Sequence, residues 1–186
     1  MVPFKDIHLR QEDGRKATVK IVYQDESLLV VWKPSGLRVI QDRWNPSLPN
    51  LHGLLSYQHS EVESKENTGI YIVHRIDADT SGLVLFARNG LVHRQLNKAF
   101  EENRVNKTYL AIVNGRPEKP AGIVDFPLRT DRKGFVRIDV EGKPSITEYK
   151  LIETFRRFSL LEVFPRTGRT HQIRVHLQTI GCPLVV

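Results

Sequence analysis

Residues 70–100 read IYIVHRIDADTSGLVLFARNGLVHRQLNKAF. Within it Ile70, Ile72, His74 and Ile76 fall on one face of an extended chain, and Tyr71, Val73, Arg75 and Asp77 on the other. That period of two predicts a half-buried strand over Ile70–Ile76. Asp77-Ala78-Asp79-Thr80-Ser81-Gly82 is rich in turn formers, and Leu83–Ala87 returns to strand composition. The period then changes: Val92, Leu96, Ala99 and Phe100 recur at i, i+4, i+7 and i+8 behind Asn89, a good N-cap. This predicts an amphipathic helix.

Outward from this stretch, strands dominate. Val19–Tyr23 and Leu28–Trp32 read as two strands around the turn Gln24-Asp25-Glu26-Ser27, and Lys33-Pro34-Ser35-Gly36 breaks the pattern. Residues 1–18 read as a polar lead-in. Residues 41–68 hold turn clusters, a Glu-rich stretch and a short helix near Leu51–His59. Downstream, Val105–Val113 is predicted as a strand with Lys107 and Tyr109 on one face, ended by a hairpin-type turn at Asn114-Gly115. Short strands fill 121–165. Thr170–Gly181 is predicted as a helix stopped by Gly181, with Ile173, Leu177 and Ile180 as its apolar stripe and His171, Arg174 and Gln178 on another face. No regular βαβ alternation appears. The expected class is α+β: one domain over 19–186, with a mixed, mainly antiparallel central sheet flanked by helices and loops.

Composition narrows the functional classes. A chain of 186 residues can bury a core without covalent help. Its single cysteine, Cys182, excludes an intramolecular disulfide and a cysteine-based zinc site. The start, MVPFKDIHLRQEDGRK, has no apolar h-region, and the apolar runs are far too short to span a bilayer. The expectation is a cytoplasmic, monomeric chain that does not enter membranes. The net charge of +7 points to an anionic partner, nucleic acid first.

Three clusters carry chemistry-bearing side chains. In His74–Leu83 a predicted strand delivers Asp77 into a turn flanked by Arg75, Thr80 and Ser81. The arrangement suits a presented catalytic carboxylate, and it equally suits ordinary turn capping, with Gly82 permitting the bend. In Arg166–His176 three arginines and two histidines surround a loop-to-helix junction, a setting for phosphate or carboxylate, or else a solvated basic face. Arg174, beside the apolar stripe, calls for a carboxylate partner. His171 and His176 are five residues apart, off the helical i, i+4 spacing, so no metal is expected. In Asn106-Lys107-Thr108-Tyr109 the tyrosine beside a cation suits base stacking, or simple packing in a sheet.

Together HRIDADTSGL (74–83) and RTGRTHQIRVHL (166–177) carry a resemblance. With DESLLVVWKPSGL (25–37), NKTYLAIV (106–113) and GKPSITEY (142–149) in the matching order, the chain resembles RluA-type pseudouridine synthases from about residue 19 onward. The resemblance implies the pseudouridine synthase fold and isomerisation of uridine to pseudouridine in structured RNA, ribosomal or transfer, without cofactor or metal. It implies Asp77 as nucleophile, supported by the turn residues Thr80, Ser81 and Gly82. Tyr109 matches the residue that stacks on the uracil and assists proton transfer, and Arg174 the cation paired with the aspartate. Arg75 matches the residue that replaces the flipped-out uridine. The expected RNA contacts are Arg75, Lys107, Arg166, Arg169 and His171. Relative to the family pattern, the sequence stops after GCPLVV, before a Gly-Asp…Tyr-Gly segment, and leaves no room before residue 19 for an S4-type domain. The expectation is a catalytic domain short at its C-terminus. Two alternatives stand beside it: a catalytically silent RNA-binding relative, and a hydrolase using Asp77 and Asp79 as a carboxylate pair.

Overall fold

The computed structural model describes residues 3–11, 13–62 and 68–185, so the Glu-rich stretch at 63–67 lies outside the described residues. The chain divides into two compact units, Met1–Glu102 and Asn103–Val186. Each has its own core. The α+β class with antiparallel pairing stands, since every strand ladder is antiparallel. The one expected central sheet is instead a five-stranded, a four-stranded and a two-stranded sheet.

In the first unit, β1 (Ile7–Arg10), β2 (Lys16–Gln24), β3 (Leu28–Lys33), β4 (Thr68–Ile72) and β5 (Gly82–Asn89) form a sheet in the order β1-β2-β3-β5-β4. Alternation decides which side chains go inside. Leu29 and Val31 of β3 and Val84 and Phe86 of β5 are fully buried, against Leu51 and Leu55, one turn apart on α1 (Leu51–Val62). Helix α2 (Gly90–Glu101) starts where the sequence predicts, with the Asn89 side chain accepting the Val92 N–H at 2.9 Å. No helix among the described residues is long and apolar enough to cross a membrane.

Two expectations fail here for identifiable reasons. The polar lead-in is a working part of the sheet: Ile7–Arg10 pairs with β2, and Phe4 lies in the core at 7% exposure. Ile7 and Leu9 alternate with His8 and Arg10, so a short strand had the right period under a polar average. The predicted strand Ile70–Ile76 ends at Ile72. Beyond it the Leu85 N–H is taken by the His74 imidazole, donating to Nε2 at 2.9 Å. A side chain has replaced the next backbone acceptor, and His74 itself is held by stacking on Phe100, with ring centroids 4.9 Å apart.

In the second unit β6 (Tyr109–Asn114), β7 (Ala121–Asp125), β10 (Ile146–Thr154) and β11 (Phe158–Pro165) form a sheet in the order β6-β11-β10-β7. The strands β8 (Leu128–Thr130) and β9 (Val136–Ile138) make a separate hairpin. Helix α3 (Gln172–Thr179) buries Leu177 against Val113, Leu161 and Val163, and Gly181 follows it with a left-handed φ of 74°. The strand predicted from Val105 begins only at Tyr109, which leaves Lys107 on the preceding loop. Asn114-Gly115 is no hairpin turn either. β6 pairs with β11, while Asn114 and Gly115 donate their N–H groups to the carbonyls of Pro183 and Arg157.

Beneath α3 lies a buried polar chain. Gln172 Nε2 donates to Thr147 Oγ1 at 2.9 Å, Thr147 Oγ1 lies 2.9 Å from His176 Nδ1, and His176 Nε2 lies 3.0 Å from the Phe126 carbonyl. The pattern closes when His176 is neutral with its proton on Nε2. Burial lowers its pKa below the usual 6.5, opposed by the Phe126 carbonyl and Asp125. The unfolded chain therefore binds a proton before the folded one as pH falls. Stability is complete above pH 6.5 and is lost as pH drops through the lowered folded value. Denaturant midpoints between about pH 7.5 and 5 should show a slope of up to ~1.4 kcal/mol per pH unit. His176→Gln should flatten it.

Candidate active site

Register brings the first cluster together. Lys33, the last residue of β3, is the ladder partner of Gly82, the first of β5. The loops leaving these two ends, 34–36 and 77–81, therefore emerge side by side. Lys33 shares parity with Leu29 and Val31, so its side chain turns inward and is fully buried. Its ammonium donates to the carbonyls of Pro34 at 3.0 Å, Leu37 at 2.6 Å and Ala78 at 2.8 Å. An ammonium has three N–H donors, and all three are used.

The rest of the latch is backbone and hydroxyl. The Gly36 N–H donates to Ala78 O at 2.9 Å, and the Ser35 hydroxyl to Asp79 O at 2.8 Å. Thr80 closes the turn by donating its N–H to Asp77 O at 3.2 Å. Gly36 takes a left-handed φ of 85°, and a Cβ there would sit 2.7 Å from the Gln11 amide, which itself bonds Ser35 O. Asp77 and Thr80 are half-buried on this turn, while Arg75, Asp79 and Ser81 are exposed. Gly82 supplies a φ of 138° where the turn re-enters the sheet. Burial pulls the Lys33 pKa down to about 8, against the opposing pull of the Asp79 and Asp77 carboxylates. Sequence reasoning placed Lys33 only at the head of the pattern-breaking Lys33-Pro34-Ser35-Gly36 and gave it no role of its own. The signal that finds it is its parity with two leucine and valine core positions.

The second unit holds the other expected residues. Tyr109 opens β6 opposite Val163, half-buried and packed against that unit's core. Lys107 donates to Thr167 O at 3.2 Å, and burial and then the Arg169 charge lower its pKa. The two cations are close enough for the Arg169 charge to be felt at Lys107. Lys107 also lines a cavity of about 290 Å³ with Asn103, Asn106, Thr108, Phe164 and Arg166. Arg166 is bound in a fork to Glu148, at 2.8 and 2.7 Å, so it is half of an ion pair.

The loop carrying Arg166–Thr170 is shaped by Gln172, which sequence reasoning did not single out. Its Oε1 accepts from the Thr167 hydroxyl at 2.8 Å and the Arg169 N–H at 3.0 Å, while its Nε2 donates to Ile146 O at 2.9 Å. Gln172 and His176 lie one helical turn apart on the buried face of α3, a polar i, i+4 pair where an apolar one would be ordinary. His171 takes a left-handed φ of 51° and keeps its side chain exposed, a conformation that a non-glycine residue adopts at a cost of about 1–3 kcal/mol. Arg174 is half-buried on α3. His171 and His176 do not form a ligand pair, because both ring nitrogens of His176 are engaged. Asp77 and Arg75 thus belong to the first unit, and Tyr109, Lys107, Arg166, Arg169, His171 and Arg174 to the second.

Residues 27–179 match the family model described as RNA pseudouridylate synthase. An uncharacterised RNA pseudouridine synthase of Zymomonas mobilis is 38% identical over 172 residues, 89% of this chain and 75% of that protein. The ribosomal large subunit pseudouridine synthase C of Vibrio vulnificus is also 38% identical, over 88% of this chain and 50% of its own length. The chain thus spans about half the length of several relatives it matches. Among solved structures, human RNA pseudouridylate synthase domain containing 4 superposes with a TM-score of 0.73 at 28% identity, over 88% of this chain and 66% of that one.

The latch has a measurable signature. Lys33→Met leaves the carbonyls of Pro34 and Leu37 without the ammonium, at about 1–3 kcal/mol for each that stays unsatisfied, while Ala78 O keeps only the Gly36 N–H. The amides of Gly36 and Thr80 should exchange with solvent at least ~5-fold faster in this variant. The folded pKa near 8 lies below the unfolded 10.5, so unfolding free energy should rise with pH across that window in the wild type. That rise should vanish in Lys33→Met. Unchanged protection at Gly36 would show that the ammonium does not hold the turn.

Proposed function

The chain belongs to the RNA pseudouridylate synthase family, and on that premise we propose that it isomerises uridine to pseudouridine in structured RNA with Asp77 as the nucleophile. The observation that carries the reading is the Asp77 turn itself: a half-buried carboxylate on a turn held from beneath by a fully buried ammonium. The Lys33 ammonium, which feels the Asp79 and Asp77 carboxylates, holds this turn in place, as a presented nucleophile requires. Large-subunit ribosomal RNA is the first substrate class to test, since a relative of matching identity is named for it, and transfer RNA the second.

The reaction breaks the C1′–N1 glycosidic bond and forms a C1′–C5 bond to the same uracil. The C5 proton is lost, a proton is gained at N1, and atoms and electrons balance without a co-reactant. The base leaves its stack at a cost of a few kcal/mol, and stacking on Tyr109 returns roughly 1–3 kcal/mol. Arg75, exposed before the turn, fills the vacated place in the RNA. Arg174 is the cation that the family resemblance assigns to the reaction. Lys107, Arg169 and His171 bind the phosphate backbone, and Arg166 contributes through its pair with Glu148.

Two measurements check this reading. RNA labelled with tritium at uracil C5 should release tritium with the wild-type chain and show none with Asp77→Ala. A folded wild-type chain that binds the RNA without release would instead be a silent RNA-binding relative, and free uracil among the products would mark a hydrolase. In binding assays, Lys107→Ala and Arg169→Ala should each flatten the log K against log salt slope by about 0.7–0.9. Arg166→Ala should flatten it less, because its charge is already matched by Glu148.

A further inference from the structure

Between the Lys33 turn and α1 lies a loop that folds on itself. Asp42 Oδ1 accepts the N–H groups of Trp44 and Asn45, both at 2.8 Å, and Oδ2 pairs with Arg38 at 2.8 Å. Gln41 donates to Pro46 O at 3.1 Å, the Ser47 hydroxyl to Asn45 Oδ1 at 2.6 Å, and the Leu48 N–H to Asn45 O at 3.2 Å. Its base is pinned as the Leu51 and His52 N–H groups donate to Arg38 O and Val39 O, with Leu37 and Val39 in the core. The loop and the Asp77 turn share an anchor, because Lys33 donates to both Leu37 O and Ala78 O.

At the tip of this organised loop stands Trp44, 86% exposed, with the Arg43 guanidinium 6.0 Å from its ring centroid. The first unit's core makes no use of this indole. Backbone order without side-chain burial leaves only the ring's own torsions to be fixed on contact, so the loop itself adds little ordering entropy. The chemistry around it selects the partner. A protein-docking tryptophan sits within an apolar surround, whereas the residues flanking Trp44 are Asp42, Arg43, Asn45, Pro46 and Ser47. A lone flat ring beside a guanidinium fits a planar base next to a phosphate.

We propose that Trp44, with Arg43 beside it, is a stacking platform for an unpaired nucleobase of the RNA, separate from the base presented to Asp77. The proposal rests on reading the chain as an RNA-modifying enzyme. The probes are an RNA hairpin with an unpaired loop and a fully paired duplex of the same stem. Trp44→Ala should weaken hairpin binding by about 5- to 150-fold, the equivalent of ~1–3 kcal/mol of stacking. Duplex binding should stay within about 2-fold, since no free base face is offered. Trp44→Phe should keep most of the hairpin affinity. In a Trp32→Phe background, where Trp44 is the sole indole of the chain, the hairpin should quench fluorescence and the duplex should not.

Hairpin affinity unchanged in Trp44→Ala, or an equal loss for hairpin and duplex, overturns the proposal. So does quenching that follows chain concentration without RNA, which marks a contact between protein chains. Selective loss in Trp44→Ala and quenching in the Trp32→Phe background, with a wild-type chain that forms no pseudouridine, leave the platform standing and remove the enzyme reading. A chain that isomerises the RNA while Trp44→Ala binds normally does the reverse.

Discussion

The first unit depends on one buried charge. Lys33 carries an ammonium with no solvent exposure, and removing such a group from water costs several kcal/mol. What offsets part of that cost is geometric completeness: three donors meet three carbonyls, contributed by Pro34, Leu37 and Ala78, and the pKa lowered to about 8 marks the part that remains. The first two belong to the segment that follows β3, and the third to the turn carrying Asp77, 45 residues away from Lys33 in sequence. One side chain therefore joins two loops that backbone pairing alone leaves at the end of the β3–β5 ladder. The Asp77 turn owes its position to that register and its rigidity to that ammonium.

Much of this arrangement was legible in the sequence where the signal is local. The turn at 77–82, the Asn89 cap, the strands of β2 and β3 and the Gly181 stop all follow from residue types within a few positions. What escaped was set by partners distant in the chain. His74 ends β4 because Leu85 offers an N–H, eleven residues on, that a ring nitrogen can take. Arg166 is paired because Glu148 of β10, 18 residues back in the chain, reaches it. Neither fact has a footprint in local periodicity. The lead-in is a different kind of miss: Phe4, Ile7 and Leu9 did carry the pattern, masked by the charges between them.

Both units bury polar side chains beneath a loop that carries candidate site residues, and they choose opposite electrostatics. Beneath the turn that carries Asp77 the buried group is a cation, and the Asp79 and Asp77 carboxylates of that turn raise its pKa against the effect of burial. Beneath the loop that carries Arg166 and Arg169, with Lys107 donating into it, the buried groups are Gln172, Thr147 and His176. A buried cation there would add to the repulsion that already lowers the Lys107 pKa. A neutral amide organises the same kind of loop without it: Gln172 both accepts and donates, so it holds the Arg169 N–H and the Ile146 carbonyl at once. His176 completes the neutral set, since burial keeps its proton affinity below that of an exposed imidazole. The charge of each buried anchor is thus complementary to the loop it supports, and exchanging lysine for glutamine between the two positions would work against both.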